Sequence, residues 1–149
     1  IKNIEHLRRA LRKTKAAHPF DIVAMVVMPD HMHLLIQLSE DDNDYPLRIR
    51  LIKTHFSKSL PKIEFINSTR ESKGERGIWQ RRYWEHQIRD EKDLNNHIDY
   101  IHINPVKHGY VKKPIDWEFS TTHKFVRSKI LPEDWGCDIT SFKEEGFGE

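Results

Sequence analysis

Apolar residues in this chain recur at two different periods, and the switch between them marks out the elements. Over residues 3–17, Ile4, Leu7 and Leu11 repeat at helical spacing while Arg8, Arg9, Arg12, Lys13 and Lys15 fall outside the stripe. That pattern predicts an amphipathic helix, and His18-Pro19 stops it. Residues 20–28 are rich in β-branched and apolar side chains and read as a strand. After Pro29-Asp30 a second strand spans residues 31–38. The connection is too short for a crossover, so the two form an antiparallel hairpin. Helical periodicity returns over residues 46–60, with Leu47, Ile49, Ile52 and Phe56 apolar and Arg48, Arg50, Lys53 and Lys58 basic.

Residues 67–77 have the polar, glycine-containing composition of a mobile loop. Residues 78–89 then read as a loop leading into a third strand. Asp90 is a fitting N-cap, with Asp93 in the capping-box position. The helix it starts is expected to run to about Ile103, where Asn104-Pro105 interrupts it. From Val106 to residue 149 the pattern is irregular, with Trp117, Phe119, Phe125 and Trp135 as anchors. Helix, strand, strand, helix, strand, helix is an α+β order: an antiparallel sheet packed with helices, of RRM-like or ferredoxin-like topology. At 149 residues the chain suits a single domain, 1–149, with 106–149 as a C-terminal extension.

Composition narrows the function classes. No stretch approaches the ~18 apolar residues of a membrane span, and a signal-peptide pattern is lacking at the start, so no membrane role and a cytoplasmic setting are expected. The single Cys137 excludes an internal disulfide and a multi-cysteine zinc site. The net charge of +2 is unevenly spread. Residues 131–149 carry Glu133, Asp134, Asp138, Glu144, Glu145 and Glu149 against Lys143, which leaves the rest of the chain strongly basic and suited to a polyanion.

Candidate chemistry sits on the hairpin and the third helix. Side chains alternate along a strand, so His31 and His33 point the same way, close enough to converge on one divalent ion or one phosphate. On the helix, Asp93, His97, Tyr100 and Asn104 follow an i, i+4, i+7, i+11 stripe beside the apolar stripe of Leu94, Ile98 and Ile101. Two imidazoles, an amide oxygen and a phenol are the parts of a metal-assisted phosphoryl-transfer site. A phenol with pKa ~10 attacks poorly unless its charge develops near a cation. The imidazoles alone suit Zn²⁺ as well as Mg²⁺ or Mn²⁺. For single-stranded DNA, cations for phosphates and flat rings for bases are supplied by Trp79, Arg81, Arg82, Tyr83, Trp84 and His86 in one segment. Arg48, Arg50, Lys53 and Lys107 extend the track. Trp84 and Trp79 suit a core-anchoring role equally well.

These blocks resemble a known family. His31-Met32-His33 after an apolar strand is similar to the histidine–hydrophobic–histidine (HUH) motif of single-tyrosine transposases. Trp79-Gln80-Arg81-Arg82-Tyr83-Trp84-Glu85-His86, Asp99-Tyr100-Ile101-His102-Ile103-Asn104-Pro105-Val106-Lys107-His108-Gly109 and Trp117-Glu118-Phe119-Ser120 resemble its REP-associated branch. The resemblance implies an HUH-nuclease fold in the bacterial cytoplasm, at the nucleoid. His31 and His33 would be ligands of Mg²⁺ or Mn²⁺, with Asn104 in the place of a third, and Tyr100 the nucleophile on single-stranded DNA. It further implies cleavage and rejoining at short repeat hairpins through a 5′-phosphotyrosine, by a monomer or a homodimer. The family has an aromatic strand before its first helix and this chain starts at that helix, so a sheet lacking that strand is expected. Two other functions fit parts of the pattern: an RRM-like nucleic-acid-binding module and a metal-dependent hydrolase that uses water.

Overall fold

The computed structural model describes residues 1–66 and 68–137. Its elements are α1 (Ile4–Ala17), β1 (Asp21–Val27), β2 (Met32–Gln37), α2 (Tyr45–Ser59), a one-turn α3 (Ser68–Glu71), α4 (Glu91–Lys107), a 3₁₀ turn (Pro114–Asp116) and α5 (Thr122–Arg127). They fall into two compact units, one of Ile1–Phe20 with Leu38–Glu85, the other of Asp21–Gln37 with the chain from His86 onward.

The first unit is a pair of helices with a tethered loop. Leu7, Ala10, Leu11 and Thr14, one stripe of α1, are buried against α2, whose own buried positions are Arg48, Ile52 and Phe56. Asp44 caps α2 by accepting from the Leu47 N–H, and Pro46 sits in the first turn, where its missing N–H costs nothing. The loop expected over 67–77 contains α3 and is anchored by Arg76. This guanidinium donates to the carbonyls of Ser57, Leu60 and Pro61 and pairs with Glu64. The pairing pulls the Glu64 carboxyl down to a pKa of about 2.

The second unit holds the hairpin. β1 and β2 pair antiparallel, with Val26 opposite His33 and Ala24 opposite Leu35, and the register slips between Ile22 and Ala24 at a bulge. Pro29 and Asp30 make the turn, closed by the Met28 N–H to the His31 carbonyl (2.9 Å). Cross-strand partners share a face, so His33 and Leu35 lie on the side of Ala24 and Val26. Ala24, Val26 and Met28 are fully buried with Ile101 of α4, and Leu35, Ile98 and Trp117 pack around them. The helix therefore covers the face that carries His33.

No strand forms over residues 78–89, a correction to the sequence reading. Trp79 instead donates its indole N–H to the Lys53 carbonyl of α2 (3.2 Å) and packs edge-on against Phe56, while Lys53 donates to the Gln80 carbonyl (2.8 Å). The segment is satisfied by a helix rather than by a sheet edge. The outer edge of β1 pairs with residues 119–121, through Val27 N–H to Phe119 O and Thr121 N–H to Met25 O, both 2.9 Å.

The end of α4 is the second correction. The helix runs through Pro105 to Lys107, and Asn104 does not cap it. The stop is a Schellman motif around Gly109, whose φ of +72° suits glycine: Gly109 N–H bonds Val106 O and Tyr110 N–H bonds Pro105 O. One proline in the final turns removes one helical hydrogen bond, and its ring is buried. From residue 106 the chain is also less irregular than expected, since the 3₁₀ turn and α5 follow. Asp138, Lys143, Glu144, Glu145 and Glu149, part of the expected acidic tail, lie outside the described residues.

Candidate active site

Three segments of the second unit bring the predicted centre together. The hairpin turn supplies His31, β2 supplies His33, and the C-terminal half of α4 supplies Tyr100 and Asn104. The His31 and His33 rings meet edge to face with centroids 5.1 Å apart. The Tyr100 ring stands edge-on to His33 at 5.4 Å, and the Asn104 Nδ2 lies 3.2 Å from His33 Nε2. Tyr100 and Asn104 are one turn apart, so a single helix face delivers both. Asn104 is fully buried, which fixes its amide, while Tyr100 stays half-buried and reachable.

The histidines are differently wired. His31 Nδ1 bonds the Asp30 carboxylate at 2.8 Å, and its Nε2 is buried with no hydrogen-bond partner among the described residues. A carboxylate on one ring nitrogen fixes the tautomer and turns the other nitrogen's lone pair inward, the usual arrangement behind a metal-bound histidine. Asp30 gains from the same bond: the His31 contact, with smaller help from the charges of His31 and His108, holds its carboxyl below the usual range against the cost of desolvation. An orphaned buried imidazole nitrogen beside a second imidazole and a buried amide fits a divalent cation. Such an ion is what HUH transposases work with.

Two neighbours carry more than the sequence reading assigned them. Lys107, expected on a DNA track, places its ammonium 5.0 Å from the centre of the Tyr100 ring. His108, given no role, packs edge to face on His31 at 5.4 Å. Its spacing of four from Asn104 was the available signal, and ending the helix at Pro105 hides it. His102, in the same block, is fully buried and bonds Thr121 Oγ1 at 2.9 Å; burial lowers its pKa to about 4, so it is a neutral structural residue at neutral pH.

The expected DNA-contact residues divide sharply. Arg81, Arg82, Tyr83 and Arg50 are exposed, and Arg82 and Arg50 make no ion pair among the described residues. Arg81 bonds Glu75 at 3.0 Å. Lys53 is partly buried between the Trp79 and Tyr83 rings, 5.9 Å from each centroid, and desolvation lowers its pKa. Trp79 is the anchor of its segment, whereas Trp84 is half exposed. Arg48 is a correction: only 3% exposed, it pairs with Asp42 and donates to the carbonyls of Pro19 and Asp44. Its charge is spent inside the protein and is not available to a phosphate.

Comparison with known proteins places the chain in a family. Residues 2–104 match the family model described as "Transposase IS200 like". A Haemophilus influenzae protein named for the REP-associated tyrosine transposases is 52% identical over 134 residues, covering 89% of this chain and 76% of that one. The REP-associated tyrosine transposase of Escherichia coli is 46% identical over 136 residues, 91% of this chain and 74% of its own. Among solved structures, a REP-associated tyrosine transposase bound to a REP hairpin superposes with a TM-score of 0.77 at 43% identity, covering 97% of this chain and 81% of that one. Matched at these identities and on this fold, the chain belongs to the REP-associated tyrosine transposases, a branch of the IS200-like single-tyrosine transposase family.

Proposed function

We propose that the chain cleaves and rejoins single-stranded DNA at REP-like hairpins, with Tyr100 as the nucleophile. The supporting observation is the edge-on packing of Tyr100 against His33, which puts a phenol beside a two-imidazole, one-amide donor set. The phenolic oxygen attacks the phosphorus in line. A tyrosine O–P bond forms, the bond to the 3′-oxygen breaks, and that oxygen leaves as a 3′-hydroxyl after taking up a proton. The phosphoester is conserved, so the reverse attack by a 3′-hydroxyl rejoins DNA without nucleotide hydrolysis. Lys107, above the ring, favours the negative charge that grows on the phenol as it loses its proton.

His31, His33 and the Asn104 amide would hold Mg²⁺ or Mn²⁺, and when bound the ion neutralises the non-bridging oxygens of the scissile phosphate. His33 and Asn104 also set the position of Tyr100 by packing and by holding the helix face to the strand. In the other unit, Arg81, Arg82 and Arg50 supply cations for the backbone, and the exposed rings of Tyr83 and Trp84 offer stacking surfaces worth ~1–3 kcal/mol per base.

The test incubates the chain with Mn²⁺ and a hairpin oligonucleotide carrying a single-stranded flank. A denaturant-stable protein–DNA adduct is expected, absent in Tyr100→Phe. Cleavage that survives Tyr100→Phe would assign the chemistry to water, and hairpin binding without any cleavage would make the chain a binding module.

A further inference from the structure

The N-terminal turn of α4 carries a second cluster, of a different composition. His86, Asp93 and His97 each offer a ligand atom, and the three atoms lie within 4.8 Å of one another. Asp93 and His97 are spaced i, i+4 on one helix face, and His86 comes in from the chain before the N-cap. The two imidazoles stack almost parallel, 4.5 Å between centroids and 7° between planes. They aim at opposite oxygens of one carboxylate, His86 Nε2 at Oδ2 (2.8 Å) and His97 Nδ1 at Oδ1 (3.1 Å). All three belong to one unit of the fold.

We infer that His86, Asp93 and His97 form a zinc-type divalent cation site, separate from the Tyr100 centre. Tetrahedral zinc takes nitrogen and carboxylate ligands at ~2.0–2.2 Å, so its ligand atoms stand a little over 3 Å apart, and the three here, all within 4.8 Å of one another, would draw together around it. Imidazole nitrogens select late transition ions over Mg²⁺, and the Asp93 carboxylate adds a negative charge to them. His97 Nδ1 also lies 2.8 Å from the Asp93 carbonyl, and binding the ion exchanges that hydrogen bond for a bond to the metal. Asp93 is 8% exposed, so its charge is shielded from water, and on its other side Arg89, Asp90, Lys92 and Asn96 line an open surface depression.

Arg89 is the competing cation. Its Nε lies 3.2 Å from Asp93 Oδ2, but its side chain is 75% exposed and can swing into solvent. Three protein ligands leave a fourth position for water, and the site would pin the chain before α4 to the helix that carries Tyr100 two turns further on.

A stoichiometric titration decides it. The chain with His31→Ala and His33→Ala, stripped with chelator, is titrated with Zn²⁺ by calorimetry and with Co²⁺ by visible absorption. About one equivalent is expected, with a Co²⁺ spectrum of low coordination number, and at least tenfold weaker binding once His86→Ala is added. His86 lies outside the helix, so its loss leaves Asp93 with Arg89. If the multiple variants do not fold by circular dichroism, the otherwise unmutated chain should lose one equivalent of bound Zn²⁺ on His86→Ala. No zinc retained at micromolar concentration, or uptake indifferent to His86→Ala, overturns the site and leaves a hydrogen-bonded clamp.

Discussion

The two ends of α4 both gather histidines, yet their hubs are opposite. At the N-terminal end the hub is a carboxylate. Asp93 accepts from the Arg89 N–H and Arg89 Nε and faces His86 and His97, and its carboxyl is held far below the usual range, first by the His86 bond and then by Arg89. At the Tyr100 end the hub is an imidazole. His33 faces a neutral amide and a phenol, and the carboxylate bonded to its neighbour His31, Asp30, is 81% exposed. The contrast teaches what each end is built to hold. A buried anion with two imidazoles keeps a cation or binds a helix in place. A neutral donor set binds a cation weakly and leaves it charge to spend on a phosphate.

Alterations at the two ends should therefore fail differently. The largest effect is expected from His31→Ala with His33→Ala, on the order of 10³-fold or more in hairpin cleavage, with the thermal transition little changed. A loss of cleavage explained by unfolding would erase the distinction. Asp30→Asn is a milder probe of the same end: a ~10–100-fold loss that raised Mn²⁺ concentration partly restores, read from metal-dependence curves.

At the other end Asp93→Ala should lower the thermal midpoint by several degrees and leave an adduct-forming fraction in the chain that stays folded. The pH dependence follows from the lowered pKa. Asp93 binds a proton more weakly folded than unfolded, so its stabilisation is complete above the unfolded value of ~3.9 and drains away as pH falls below it. Acid titration of the wild-type chain followed by circular dichroism should show a component in this range that Asp93→Asn removes.

The smallest effects belong to the exposed cations of the first unit. Arg82→Ala should weaken single-strand binding uniformly across sequences and reduce the salt slope by about one. Arg48→Met should do the reverse, lowering the thermal midpoint without a change in the salt slope of the folded protein, because its charge is committed to Asp42.

What could be read from the chain divides along a physical line. The hairpin, α1, the Asp90 cap and the meeting of Tyr100, Asn104 and His33 rest on periodicity and short-range geometry, which a sequence carries openly. The end of α4 was hidden because Pro105 signals a stop that packing and the Gly109 motif override. The segment over 78–89 has strand-like aromatics, but whether Trp79 meets a sheet or a helix is decided by tertiary contacts. Arg48 shows the same limit: a basic residue on a helix looks solvent-facing until a distant carbonyl and Asp42 close over it. The pairing of His86 and His97 across Asp93 was out of reach for the same reason, although Asp93 and His97 share a stripe.

The most direct test locates the covalent bond. The chain has four tyrosines, Tyr45, Tyr83, Tyr100 and Tyr110, and each of them is at least partly exposed. The adduct formed on a hairpin with Mn²⁺ can be digested with nuclease and protease and its nucleotide-bearing peptide sequenced by mass spectrometry. The nucleotide is expected on Tyr100 through its 5′-phosphate. A nucleotide on Tyr45, Tyr83 or Tyr110, or a 3′-phosphate linkage, would contradict the assignment of Tyr100 and the hairpin histidines to one centre.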